Sequence, residues 1–81
     1  GVAGVKVAVF VKESTDRVKM SFRSVGNYSV RDLAEQHFDG GGHHNAAGGA
    51  SRESIGVVMA RLRGLLPEIA AGITAAEKAD E

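Results

Sequence analysis

Apolar and polar residues alternate in two runs near the start of the chain. In the first run, valine occupies every second position, at Val5, Val7, Val9 and Val11. The second run repeats the pattern at Val18, Met20 and Phe22. A period of two with β-branched residues predicts two strands, the first with one face fully buried. The turn-forming residues 13–16 between the runs predict that the two strands form an antiparallel hairpin.

A different period follows the hairpin. Gly26 and Asn27 interrupt the alternation, and Ser29 is a favourable N-cap residue for a helix. Apolar residues then recur at helical spacing, which predicts a short amphipathic helix over residues 30–38. Asp39 and the three glycines after it are expected to end this helix, and the glycines to continue as a loop.

The second half of the chain predicts one more strand and a longer helix. Residues 46–50 are small and apolar, which is compatible with a buried strand that another backbone approaches closely. The apolar stripe from Ile55 to Ile69 predicts an amphipathic helix with Ser51 as its cap. Pro67 is expected to end or kink this helix, because proline lacks the backbone N–H group.

These elements predict a single α/β domain in which helices cover a small, mostly antiparallel or mixed sheet. We assign residues 1–69 to this domain. Residues 70–81 are rich in alanine and charge, and are expected to form an acidic C-terminal tail that frays. The sequence shows no internal repeat and no linker, so no second domain is predicted.

Composition narrows the possible classes of protein. The chain has 81 residues, of which 43% are hydrophobic and none is cysteine, which indicates a globular domain and excludes a disulfide scaffold. No apolar run approaches the roughly 20 residues that span a bilayer, so we expect no membrane contact and a cytoplasmic location. The net charge is zero, but residues 1–66 hold nine basic and six acidic residues. This mildly basic balance is compatible with an anionic ligand.

The segment from Asp39 to Gly49 is the part of the sequence most suited to chemistry. It contains five of the 11 glycines, with His43, His44 and Asn45 among them. Glycines let backbone N–H groups approach a ligand, and consecutive N–H groups form concave sites that bind anions. The histidines and the asparagine add donors for a phosphate oxygen or a base edge. The alternative interpretation is a helix stop and tight turn that carries surface histidines.

Other kinds of site find little support in the sequence. It lacks a P-loop, a dinucleotide-binding glycine motif and a nucleophile elbow. The three histidines, His37, His43 and His44, show no recognised metal-ligand spacing. His37 also lies on the apolar stripe of its helix, which favours a packing role. We therefore expect no metal site within this chain.

The polar side of the second predicted strand carries an arginine between two serines. Arg23 follows Ser21 and precedes Ser24, and this strand leads towards the glycine-rich segment. A guanidinium beside small hydroxyl groups is suited to bind a phosphate through two parallel hydrogen bonds. The alternative interpretation is a solvated arginine on an exposed strand face.

Taken together, these segments resemble a known family. The strand SFRS (Ser21–Ser24), a short helix and then GGGHHNAAGG (Gly40–Gly49) are similar in order and spacing to the C-terminal DHH-associated domain of the DHH phosphoesterase superfamily. The resemblance covers roughly residues 5–66. Within the superfamily the sequence looks most similar to the bacterial branch of oligoribonucleases and 3'-phosphoadenosine-5'-phosphate phosphatases, which are often labelled exopolyphosphatase-related.

The resemblance implies the substrate-binding half of a two-domain hydrolase. In such an enzyme, an N-terminal catalytic domain holds two manganese ions that activate water. The C-terminal domain binds the phosphates and terminal nucleotide of a short single-stranded RNA or a nucleoside bisphosphate. This sequence has no counterpart of the catalytic Asp/His clusters. We therefore expect the chain to be inactive alone, to bind no metal, and to act with the N-terminal catalytic domain of its own parent protein.

The resemblance also implies roles for individual residues. Arg23 matches the motif arginine that clamps the phosphate, with the hydroxyl groups of Ser21 and Ser24 beside it. The phosphate-binding positions of the glycine motif are Gly41, Gly42 and His43. The AAG positions that follow are Ala46, Ala47 and Gly48. His44 and Asn45 occupy variable positions and are weaker candidates for contacts with a base or ribose, and Phe22 or Tyr28 is a candidate stacking partner for one base.

Several related functions remain open at this point. The domain is also compatible with a RecJ-type single-strand exonuclease or a cyclic-dinucleotide phosphodiesterase. A further alternative is the RNA-binding and dimerising C-terminal region of alanyl-tRNA synthetase, which has a similar glycine loop but typically lacks a histidine at the position of His43. The remaining alternative is an interaction domain whose glycines only permit a turn.

Overall fold

The computed structural model describes residues 4–79, which form four strands and two helices. The elements in chain order are β1 (Lys6–Glu13), β2 (Val18–Val25), α1 (Val30–His37), β3 (Gly41–His43), β4 (Ala46–Ser51) and α2 (Ile55–Ala79). The strands form one antiparallel sheet in the order β1-β2-β4-β3. This arrangement confirms the predicted α/β domain and the predicted hairpin of the first two strands.

One face of the sheet packs against both helices and forms the core. The buried residues of this cluster are Val18, Met20, Phe22, Val30, Leu33, Ala34, Phe38, Ala47, Val58, Leu62 and Ile69. Phe22 is completely buried, and its ring centroid lies 5.2 Å from that of Phe38, which follows α1. The valines of β1 were predicted to be fully buried, but Val7, Val9 and Val11 are only half-buried. The reason is that β1 is an edge strand and packs at the margin of the core.

The other face of the sheet is not covered by either helix, and we call it the open face. Because side chains alternate along a strand, the register of the sheet defines its members. They are Lys6, Ala8, Phe10 and Lys12 of β1, Lys19, Ser21, Arg23 and Val25 of β2, Ala46, Gly48 and Ala50 of β4, and Gly41 and His43 of β3. None of these residues is buried.

The prediction that the glycines after α1 form a loop is wrong in part, because Gly41 and Gly42 belong to a strand. Gly41–His43 is the edge strand β3, and a two-residue turn of His44 and Asn45 joins it to β4. Glycine has little tendency to form strands and offers no alternating side chains, so the sequence pattern contained no strand signal here. Hairpin pairing with β4 decides the conformation instead.

Helix α2 begins later than predicted. The predicted cap Ser51 is the last residue of β4, and the helix starts at Ile55. Ser54 takes the capping role, because its Oγ accepts a hydrogen bond from the Val57 N–H group at 3.2 Å.

Helix α2 also ends later than predicted. It continues through Pro67 to Ala79, so the predictions that Pro67 ends the helix and that residues 70–79 fray are wrong, while a kink at Pro67 stays a prediction. Ile69 and Ala76 are buried, which shows that the apolar stripe of the helix extends beyond the proline. Asp80 and Glu81 lie outside the described residues, and the division of the chain after residue 69 stays a prediction. Within the described part, neither helix has the length and apolar character needed to cross a bilayer.

Candidate phosphate-binding face

Arg23 lies near the centre of the open face. Its Nη1 donates hydrogen bonds to the main-chain oxygens of Phe22 at 2.9 Å and Ala47 at 3.4 Å. The guanidinium therefore lies between β2 and β4, because one of its nitrogens bonds to a main-chain oxygen of each strand. None of the ion pairs among residues 4–79 includes Arg23. Two neutral carbonyl groups orient the cation without neutralising it, which leaves its charge available to an oxyanion.

His43 lies in line with Arg23 across the sheet. We call such a set of residues, paired from one strand to the next, a row. In the register, Arg23 pairs with Ala46, and Ala46 pairs with His43. Neighbouring strands lie about 4.8 Å apart, so the backbones of Arg23 and His43 are separated by roughly 10 Å across one alanine. The alanine side chain is short, and an anion on this face can therefore be reached by the guanidinium from one side and the imidazole from the other.

From β2 to β3, the next row of the open face is nearly bare. Ser21 pairs with Gly48, and Gly48 pairs with Gly41, so one hydroxyl group and two glycines line this part of the row. A Cβ atom built on Gly41 would meet no atom within 4 Å. Packing within the described residues therefore gives no reason for glycine at this position. A ligand that approaches the backbone closely does give such a reason.

Gly42 differs from Gly41 because the fold itself requires glycine there. It has a positive φ of 145°, and a Cβ atom would lie 2.6 Å from the main-chain oxygen of Ala46. Its register partner Ala47 is buried in the core. Both residues belong to the covered side of the sheet, and the structure does not bring their side-chain positions to the open face.

Ser24 and Asn45 also lie apart from the open face. Ser24 is buried, and its Oγ donates to the Tyr28 oxygen at 2.7 Å and accepts from Asn45 Nδ2 at 2.9 Å. Asn45 Nδ2 also donates to the Gly26 oxygen at 3.0 Å. These bonds tie the β3–β4 turn to the connection between β2 and α1. They hold the glycine hairpin in place beside Arg23.

His44 is exposed in the same turn and faces a different surface. Its main-chain oxygen accepts from the Val30 N–H group at 2.9 Å, which joins the turn to the start of α1. Its side chain lines a groove of about 580 Å³ beside Tyr28, Arg31 and Asp32. The structure therefore separates His44 from His43, although the two are adjacent in the chain.

The charges on the open face all have one sign. They belong to Lys6, Lys12, Lys19 and Arg23, and no acidic residue is a member of this face. In a chain whose net charge is zero, this segregation produces a positive potential over one surface. A second groove of about 700 Å³ at the far end of β4 contains Arg17, Arg52 and Arg61, but also three carboxylates. The open face is therefore better suited to an anion than either groove.

The aromatic residue on this face is one that the sequence analysis did not select. Phe10 pairs with Ser21 and is 60% exposed, whereas the predicted stacking candidate Phe22 is completely buried and cannot meet a base. Tyr28 is half-buried on the covered side, and its burial, with smaller effects from Glu68 and Asp32, raises the pKa of its hydroxyl group. The alternation of β1 already places Phe10 opposite its valines, so the signal was present.

No group of three potential metal ligands occurs among residues 4–79. His37 is half-buried, and its Nε2 lies 2.8 Å from Glu68 Oε2, which links α1 to α2. The two imidazoles nearest in sequence, His43 and His44, face different surfaces. The described residues therefore do not fit the two-manganese centre that the family resemblance implies, and we derive no step through a metal from them.

A match to a family model supports the resemblance that the sequence motifs indicate. A search of curated proteins gives no match. A family model described as the DHHA1 domain matches residues 2–71, which include the whole sheet, α1 and most of α2. Because this match covers most of the chain, the protein belongs to the DHHA1 family, the domain associated with DHH phosphoesterases.

Proposed function

We propose that this chain is the substrate-binding domain of a phosphoesterase that acts on short oligoribonucleotides or on 3'-phosphoadenosine-5'-phosphate. The observation that carries the proposal is the placement of Arg23. Main-chain oxygens of Phe22 and Ala47 fix its guanidinium, and no carboxylate pairs with it among residues 4–79. A fixed and unneutralised guanidinium is suited to two parallel hydrogen bonds with a phosphate.

The neighbours of Arg23 supply the rest of the proposed phosphate site. His43 contributes an exposed imidazole in the same row, and Ser21 contributes a hydroxyl group in the next row. Gly41 leaves the backbone of β3 open to close approach. These groups bind and orient a phosphate, and none of them is assigned a role in breaking a bond.

The hydrolytic step is assigned to a separate catalytic domain. We propose that such a domain of the parent protein holds two manganese ions, which supply activated water when bound. The open face would then be directed towards that domain, so that the phosphate held at Arg23 fixes the distance to the scissile bond. On this proposal the 81-residue chain binds substrate but does not hydrolyse it.

Binding of 3'-phosphoadenosine-5'-phosphate to the chain tests the proposal. In an NMR titration, shifts are expected at Arg23, His43 and residues 41–48. Arg23→Ala is expected to weaken binding by roughly 10- to 100-fold, because a hydrogen bond to a charged group contributes about 1.5–3 kcal/mol. Arg23→Lys should recover part of the loss, since lysine keeps the charge but not the planar fork.

Arg63→Ala is the matched control. Arg63 is exposed on α2, away from the open face, and carries the same charge. Its replacement is expected to leave the affinity unchanged once salt is held constant. Equal affinity of the wild-type chain and Arg23→Ala, or equal losses in Arg23→Ala and Arg63→Ala, would remove the assigned role of Arg23.

A further inference from the structure

Phe10 is a large apolar side chain that the fold leaves in solvent. It is 60% exposed on the open face, and it contributes nothing to the core cluster. A single exposed phenylalanine is unremarkable by itself. Its surroundings distinguish it, because its neighbours on the open face are basic or small and none is acidic.

The register places Phe10 between two sets of cations. Phe10 pairs with Ser21, while the rows on either side of this pair are Lys12 with Lys19 and Ala8 with Arg23. The Lys12–Lys19 row is four residues along β2 from Arg23. At about 3.4 Å per residue, the two rows are roughly 13 Å apart, with the phenyl ring between them.

We propose that Phe10, Lys12 and Lys19 form a second subsite that binds a further nucleotide of a single-stranded oligonucleotide. This inference rests on the proposed function, since it requires the terminal phosphate to lie at Arg23. The ring of Phe10 stacks on a base of the chain, and Lys12 and Lys19 bind the backbone phosphate beyond that base. The subsite favours an oligonucleotide over a nucleoside bisphosphate, which is too short to extend from Arg23 to the two lysines.

The chemistry of the face favours a nucleobase as the partner of Phe10. A ring between cations matches a ligand that alternates flat apolar bases with anionic phosphates. Stacking of a base on an aromatic side chain does not depend on the identity of the base. The subsite is therefore expected to select for ligand length rather than for sequence.

The test compares two ligands, 3'-phosphoadenosine-5'-phosphate and a 5'-phosphorylated triadenylate RNA, by measuring the dissociation constant of each. Phe10→Ala is expected to weaken triadenylate binding by roughly 5- to 150-fold, the range that follows from the known energy of base–aromatic stacking. Binding of the bisphosphate should not change. Phe10→Leu should lose as much as Phe10→Ala, because leucine keeps the apolar volume but has no ring.

Val25→Ala is the matched control for an exposed apolar side chain. Val25 lies on the same face and is 64% exposed, but it pairs with Lys6 in the row beyond Arg23. Its replacement should change neither affinity. Because the chain contains no tryptophan, Phe10→Trp also introduces a single tryptophan, whose fluorescence can be excited selectively. Its fluorescence should be quenched by triadenylate and not by the bisphosphate.

The two lysines are tested through the salt dependence of triadenylate binding. Each phosphate contact on a single strand contributes about 0.7 to the slope of log K against log salt. Because both lysines bind the same phosphate, the double variant with Lys12→Gln and Lys19→Gln should lower the magnitude of the slope by about 0.7. The slope measured with the bisphosphate should stay the same.

The outcomes separate this inference from the proposed function. If the bisphosphate binds in an Arg23-dependent manner but Phe10→Ala leaves triadenylate binding unchanged, the second subsite is refuted and the proposed function stands. If Phe10→Ala weakens both ligands equally, the ring belongs to the terminal phosphate site and the inference is again overturned. If the wild-type chain binds neither ligand, the proposed function fails and the second subsite fails with it.

Discussion

The two faces of the sheet are built from the same strands, yet they carry opposite kinds of side chain. The covered face presents Val18, Met20, Phe22 and Ala47 to the helices, and all four are buried. The open face presents basic, small and hydroxyl-bearing residues, and its two large apolar side chains, Phe10 and Val25, are left in solvent. Burial explains the residues of the covered face. The fold gives no packing reason for the residues of the open face, whose positive charge and small side chains are suited to an anionic ligand.

The same contrast occurs within the glycine strand, over two adjacent residues. Gly42 has a backbone conformation and surroundings that only glycine tolerates, whereas Gly41 has open space where a side chain would be. The glycine motif therefore contains one glycine that the fold requires and one for which the fold gives no packing reason. Only the structure distinguishes these two kinds of position, because both residues are glycine in the sequence.

The largest expected effect comes from comparing two phenylalanines, one on each face. Phe22→Ala should lower the free energy of unfolding by about 3–5 kcal/mol, because it leaves a cavity between the sheet and both helices. Phe10→Ala should change it by no more than about 0.5 kcal/mol, because the ring is exposed. Chemical denaturation followed by circular dichroism measures both. A large loss of stability in Phe10→Ala would contradict the division between the faces.

A smaller effect is expected from the two adjacent glycines. Gly42→Ala should cost roughly 1–3 kcal/mol of stability, since alanine is strained at this positive φ and its Cβ meets the Ala46 oxygen. Gly41→Ala should leave the melting temperature unchanged and weaken 3'-phosphoadenosine-5'-phosphate binding, because the added methyl group projects onto the open face. Unchanged affinity in a fully folded Gly41→Ala variant would show that no ligand approaches this backbone.

The smallest effect concerns the single tyrosine of the chain. Burial on the covered side raises the pKa of Tyr28 above its ordinary value, so its ultraviolet absorbance should titrate at a higher pH than that of a free tyrosine. In linkage terms, a raised folded-state pKa favours the protonated group. This contribution to stability is complete below the pKa of the unfolded chain, and it is lost as the pH rises through the folded-state value.

The open face provides the comparison for this titration. A variant that combines Tyr28→Phe with Phe10→Tyr moves the only tyrosine from the covered side to the open face. There its pKa should be lower than that of Tyr28 in the wild-type chain, because the ring is largely exposed and the cations of the open face favour the phenolate. A clearly raised pKa at position 10 would indicate that the open face is covered in solution, for instance by another copy of the chain.

Which side chains lie on the open face and which on the covered face could largely be predicted from residue alternation. The alternation in β2 places Ser21 and Arg23 opposite Phe22, and the structure confirms it. The same alternation places Ser24 on the side of Phe22, so its burial was predictable although it was selected as a binding candidate. The stripe of α1 and its Ser29 cap were also correctly predicted, since Ser29 Oγ accepts from the Asp32 N–H group at 3.2 Å.

The sequence by itself determined the face on which each strand residue lies, because side-chain direction in a strand depends only on its position along that strand. It did not determine which residues are neighbours across the sheet. The strand character of Gly41–His43 depends on its hairpin pairing with β4, and the row from Arg23 to His43 also needs β2 to pair with β4, which is distant in the sequence. Only the tertiary structure decides the pairing of β2 with β4, because no turn joins these two strands and their register is set by the burial of the covered face.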